Sequence, residues 1–196
     1  VELTFNKRMS HGWQLGGSVV ISKLKGTTGG FRNPNNYVNS EGDQAFSRPL
    51  LIKLFGTFTL PYRFLVSFFY VHSSGAPWNR TVTVDPPAAW AAANNVKILS
   101  YAINVEVPGT RRETGSDIVD LRLEKEFGFG RYGRLGMFVD VFNLMGYTQM
   151  NITMNPGGRW RPADANSTAG TYTPGWTGIT GHTGTRVFKF SVRYTF

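Results

Sequence analysis

Gly128, Gly130 and Gly133 have the GxGxxG spacing of a dinucleotide-binding turn, in which backbone N–H groups opening a helix receive a pyrophosphate. The residues that follow, Leu135-Gly-Met-Phe-Val-Asp-Val141, alternate with period two and predict a strand where that chemistry needs a helix. These glycines therefore read as a turn. His11, His72 and His182 fall in a short turn, at the far end of a strand and in a long loop, without metal-ligand spacing. Ser73 and Ser74 follow His72, but neighbours on a strand point to opposite faces, which separates a serine nucleophile from its base. No catalytic residue, metal ligand or cofactor motif is assigned, and the chain is not expected to be an enzyme.

Other groups suit binding better than catalysis. Trp78, Trp90, Trp160 and Trp176, with Arg111, Arg112, Arg159 and Arg161, sit in loop-like segments and could hold a ligand by stacking and hydrogen bonding. Trp78, Arg111, Arg112, Trp160 and Trp176 are the candidate contacts. Rings that hold long loops together, and arginines that face anionic lipopolysaccharide, explain the same residues equally well. Asn79-Arg-Thr81, Asn151-Ile-Thr153 and Asn166-Ser-Thr168 match the N-glycosylation pattern, which has meaning only in a eukaryotic secreted protein. Asp85-Pro-Pro ahead of Ala88-Ala-Trp-Ala-Ala-Ala93 predicts one short helix within a loop, with Asp85 as its N-cap.

The charged residues form a pattern of their own. Asp120, Arg122, Glu124 and Glu126 alternate with Val119, Leu121, Leu123 and Phe127, and Arg134, Asp140, Lys189 and Arg193 occupy the polar positions of later strands. An arginine or lysine near mid-bilayer costs about 2–4 kcal/mol. In a membrane protein these eight residues must therefore line a lumen or meet a plug. Pairing across neighbouring strands is one role for them, and contact with a plug or solute is the other.

About seven strands must position these groups. They lie near residues 1–9, 12–25, 49–60, 64–71, 117–127, 134–141 and 186–196. The last is the most regular: Phe188, Phe190, Val192, Tyr194 and Phe196 share one face, and Lys189, Ser191, Arg193 and Thr195 the other. Connections alternate strictly between a few residues and roughly 20–40 residues. In one antiparallel sheet this puts all short turns at one end and all long loops at the other. Outer-membrane barrels have that asymmetry, and their strands have this length. Trp13, Tyr62, Phe127, Tyr194 and Phe196 lie near strand ends, where an interfacial girdle would sit.

Composition sets the limits. With Lys+Arg 21 against Asp+Glu 12 the formal charge is +9, which suits nucleic acid, anionic lipid or an anionic ligand without ranking them. No nucleic-acid partner is expected. Cysteine is absent, which excludes a disulfide framework and a thiolate metal site. No apolar stretch approaches the roughly 18 residues of a membrane-spanning helix. The chain opens at Val1 already in strand pattern, and we expect it to be a piece of something longer.

Several segments together resemble the C-terminal barrel of TonB-dependent outer-membrane receptors, especially those carrying a carboxypeptidase-regulatory-like N-terminal domain. They are Leu60-Pro61-Tyr62, Ser74-Gly-Ala-Pro-Trp-Asn-Arg80, Asp120-Leu-Arg-Leu-Glu-Lys-Glu-Phe127, Asp140-Val-Phe-Asn-Leu144 and Val192-Arg-Tyr-Thr-Phe196. The resemblance implies a barrel of about 22 strands, with a plug and an energy-coupling box upstream. It also implies active import of a large scarce solute such as an iron chelate, cobalamin or a glycan. Tyr194 and Phe196 would belong to a signal read by the barrel-assembly machinery.

The expectation for residues 1–196 is accordingly an all-β fold: an antiparallel transmembrane β-barrel, here a partial barrel of C-terminal strands with long extracellular loops. It would lie in the bacterial outer membrane, with lipid and lipopolysaccharide, the assembly machinery, the TonB complex and the solute as partners. Fewer strands than the smallest eight-stranded barrels cannot close alone. A passive porin or adhesin-type barrel is the alternative, and a soluble carbohydrate-binding β-sandwich a further one.

Overall fold

Seven alternating runs form one antiparallel sheet in chain order: β1 (Glu2–Ser10), β2 (Trp13–Ile21), β3 (Leu50–Leu60), β4 (Phe64–Ser73), β5 (Ser116–Gly128), β6 (Arg134–Phe142) and β7 (Val187–Thr195). The computed structural model describes residues 1–27, 34–97, 99–146, 149–152, 157–164, 169–175 and 179–196, with backbone only at 149–152 and 179–183. All seven expected strands are present. The second stops at Ile21, short of the expected residue 25. Among the described residues β1 and β7 each have an unpaired edge, so the sheet is open. No described helix is long and apolar enough to cross a membrane.

Short turns join β1 to β2, β3 to β4 and β5 to β6 at one end of the sheet. Pro61–Arg63 makes a tight 3-10 turn with Tyr62 at φ 61° and Arg63 at φ 60°. The glycine-rich segment after β5 is a single 3-10 turn, Gly130–Tyr132, followed directly by a strand. Gly133 has φ 107°, and a Cβ there would strike the backbone of Thr195, so the turn and the end of β7 require glycine at this position.

The register sorts side chains onto two faces. One face is almost wholly apolar. Trp13, Phe58, Val66, Leu123, Val139 and Phe190 cross the sheet as one row of partners. Phe188 is 58% exposed and Phe190 75% exposed, and no second sheet covers them among the described residues. Among the described residues the buried hydrophobic side chains are Ala91 and Phe138, with Pro108 buried in a loop. The covering sheet and the core that a β-sandwich needs are thus absent from the described residues.

The opposite face carries the eight charged residues named above, interspersed with Phe55, Phe69, Phe138 and Phe142. Phe55 lies over Gly16 of β2, where a Cβ would come within 2.5 Å of its ring. Glycine at that position makes room for the ring.

Candidate functional site

The charged residues of the polar face engage one another. Arg122 and Asp140 are register partners, with Nε to Oδ1 at 2.5 Å and Nη2 to Oδ2 at 3.1 Å. Arg193 reaches across β6 to Glu124 at 3.0 Å. Glu126 lies 3.7 Å from both Arg63 and Arg134. The guanidiniums of Arg122 and Arg193 lie 5.7 and 4.9 Å from the Phe138 ring centre and cover it. Asp120 accepts from the Asn143 backbone N–H at 2.8 Å, and Lys189 stands opposite Asp140. The polar face is therefore a paired ladder rather than a set of isolated charges.

Beside the ladder, Phe55 and Phe69 are register partners, and with Phe142 they are part-exposed rings on this face. A recess of about 370 Å³ between Phe69 and Phe142 includes Asp120, Arg122 and Asp140. The sequence reading missed these rings. The signal was present where apolar residues run consecutively, as at Leu54-Phe55 and Phe68-Phe69, because such runs put apolar groups on both faces.

The long connections, residues 22–49, 74–115 and 143–186, are joined to one another. Thr81–Val84 and Tyr101–Asn104 of the second connection form one four-stranded sheet with Arg159–Pro162 and Gly170–Thr173 of the third. Arg159 and Trp160 pair in parallel with Thr83 and Val84. The first connection is tied to the second by the Asp43 N–H donating to Pro108 O at 2.8 Å and by Asn39 Nδ2 donating to Asn104 O at 2.9 Å. Arg112 donates to the Asp43 carboxylate, and to Ser47 O and Gly75 O at 3.2 Å each. Gly42 packs so closely on Pro108 that no Cβ fits between them.

A cavity of about 950 Å³ lies where the second and third connections meet. Its walls are the helix α1 (Ala88–Ala93), Val96, Leu99 and the segment from Arg159 to Ala163. Asp85 was expected to cap this helix. The N-cap position is instead Pro87, without a side-chain cap bond. Asp85 turns to the other loop, where its Oδ2 accepts from Arg159 at 3.0 Å and Arg161 at 3.1 Å. Burial pushes its pKa up, but hydrogen bonds from Arg161 and Ser100 and the charges of Arg159 and Arg161 outweigh that and hold it below the ordinary carboxylate value.

The expected loop contacts are placed as follows. Arg111 lies 5.3 Å from the Trp78 ring centre and grips Glu106 at 3.0 Å, while Arg80 Nε donates to the same carboxylate at 2.7 Å. Hydrogen bonds from Arg111 first and Arg80 second hold the Glu106 carboxyl at about 2, and Glu106 in turn raises Arg111. Arg111 and Arg112 thus serve as tethers within and between loops. Trp160 is half-buried in the joined sheet opposite Tyr172. Trp176, the Asn166–Thr168 pattern and the side chains of Asn151 and His182 lie outside the described residues.

His72 has a partner that the sequence did not suggest. Its Nδ1 is 2.9 Å from Asp117 Oδ1, which also accepts from the Tyr70 hydroxyl at 2.7 Å. Ser73 belongs to the opposite face and donates to Ser74 O, and Ser74 Oγ accepts from the Leu50 N–H, so among the described residues neither serine is hydrogen-bonded to His72. No group of three or more His, Cys, Asp or Glu suited to a metal ion occurs among the described residues.

No protein-family model matches this chain, and no curated protein matches it.

Proposed function

We propose that this chain is the C-terminal part of an outer-membrane β-barrel, and that the whole protein is a TonB-dependent transporter for a large scarce solute. The observation that carries the membrane reading is the uncovered apolar face of a single sheet that lacks a described core. Lipid supplies the cover. Support also comes from the height of that face. On β5 it runs from Lys125, beside the short turns, to Asp117, beside the loops. Those eight steps span about 26 Å along the strand, or roughly 20 Å across a bilayer at barrel tilt.

Charged groups mark both limits. Lys125 lies 4.2 Å from the Phe64 ring centre and donates to Tyr62 O, and Lys7 lies 3.6 Å from the Trp13 ring centre. Lysines over rings at strand ends suit an interface. At the other limit stand Asp117, His72 and Tyr70.

The transporter reading rests on the segment resemblance, with the paired polar face and its rings facing a lumen and the joined loops forming a mouth. The cavity between α1 and Arg159–Ala163 is the solute-contact candidate, since both loops build it. A passive porin shares the sheet but not the energy coupling. The test is uptake by cells expressing the full-length protein, using iron chelates, cobalamin and glycans as trial solutes. Uptake of one of them that stops when TonB is removed is the expected result. Uptake indifferent to TonB would establish the porin instead.

A further inference from the structure

The loop end of β2 carries a smaller recess, of about 420 Å³, whose lining includes Ile21, Lys23, Lys25, Asp43, Pro49 and Arg112. Its single carboxylate, Asp43, is already engaged by Arg112. Lys23 and Lys25 are exposed, and neither side chain has an ion pair or hydrogen bond among the described residues, although the Lys25 backbone pairs with the strand of Asp43. With Lys23, Lys25 and Arg112 against Asp43, the lining carries a net charge of +2.

Its floor is apolar. Ile21 is 56% exposed and belongs to the apolar face, opposite Leu50 and two residues beyond Val19. The recess thus joins a cationic rim to the upper edge of the surface assigned to lipid. A ligand that satisfies both parts has an anionic head and a hydrocarbon tail. A free anion would leave Ile21 in water, and an uncharged lipid would leave the lysines unpaired.

We propose that this recess binds a phosphate of lipid A, the amphiphile of the outer leaflet, with Lys23 and Lys25 on the phosphate and an acyl chain along Ile21. The proposal rests on the membrane reading, which places the loop end at the outer leaflet. Two lysines near a charged head contribute enough attraction for a difference in binding of about tenfold or more.

The test uses full-length protein extracted from outer membranes and followed by native mass spectrometry with diphosphoryl lipid A, dephosphorylated lipid A and inorganic phosphate as separate probes. Diphosphoryl lipid A should be retained about tenfold more than the dephosphorylated form, and K23Q/K25Q should remove that preference. R8Q, a charge change at the short-turn end of β1, should keep it. Unchanged preference in K23Q/K25Q overturns the site. Equal binding of inorganic phosphate, with displacement of the lipid, overturns the lipid assignment. A heat-modifiable, membrane-inserted protein that shows either result leaves the membrane reading standing, whereas failure of the wild type to insert removes both.

Discussion

Arg122 and Asp140 stand opposite each other on β5 and β6, and the guanidinium closes a two-point hydrogen bond on a carboxylate that is only 3% exposed. Removing the cation alone leaves a buried carboxylate without its partner. Arg122→Ala should therefore destabilise the folded full-length protein by about 1–3 kcal/mol, the half-exposed arginine keeping the cost moderate. The double change Arg122→Met with Asp140→Leu should lie closer to wild type, because no buried unpaired charge remains and Lys189, opposite Asp140, is exposed. Denaturant unfolding of the three proteins measures the difference. A double variant as unstable as Arg122→Ala would show that the pair does more than neutralise a charge.

The two faces should respond oppositely to the same substitution. Val139 on the apolar face and Gln14 on the polar face lie one residue row apart across the sheet. On the proposed membrane reading, Val139→Arg should cost about 2–4 kcal/mol in lipid and lower the insertion of the full-length protein. Gln14→Arg, on the polar face near the short-turn end of β2, should stay within about 0.5 kcal/mol. Reconstitution into lipid vesicles followed by unfolding compares them, and equal losses would count against lipid as the cover.

Glu106 supplies a pH prediction in the loops. Its folded pKa, about 2, is below the ordinary carboxylate value. The stabilisation from its pairing with Arg111 and Arg80 is present above the unfolded pKa and is lost as pH falls from that range toward 2. A carboxyl NMR titration should find Glu106 still ionised at about pH 3.5. Titration near 4.5 would mean that the tether does not form. Glu106→Gln should hasten protease cleavage within residues 74–115.

Phe196 is fully exposed and its ring lies 6.1 Å from that of Tyr194. Phe196→Ser should change the stability of the folded protein by no more than about 0.5 kcal/mol, as an exposed position allows. On the proposed membrane reading, insertion into the outer membrane in cells should nevertheless fall, because the resemblance assigns Tyr194 and Phe196 to an assembly signal. Normal insertion would remove that role.

Much of the sheet was legible because period-two alternation is a local property. Where a short turn joins two strands the partner follows within a few residues, so Leu121 and Val141 could be assigned to one face before any register was known. The rings of Phe55, Phe69 and Phe142 were harder to place. Apolar residues on both faces of one strand interrupt the alternation, and only the register shows where each points. The Asp117, His72 and Tyr70 grouping was hidden for a related reason: its members lie 45 and 47 positions apart and meet through strand pairing.

The amino-acid sequence by itself determined seven strands, two chemically opposite faces and the segregation of short turns from long loops, since side-chain alternation and turn residues act over a few bonds. The tertiary structure alone decided that the loops are one assembly. Arg112 meets Asp43, Arg159 meets Asp85 and Trp160 pairs beside Val84 across separations of 69 to 76 residues. No local pattern announces such partners, because an arginine between glycines and prolines satisfies any carboxylate that the folded backbone brings within reach.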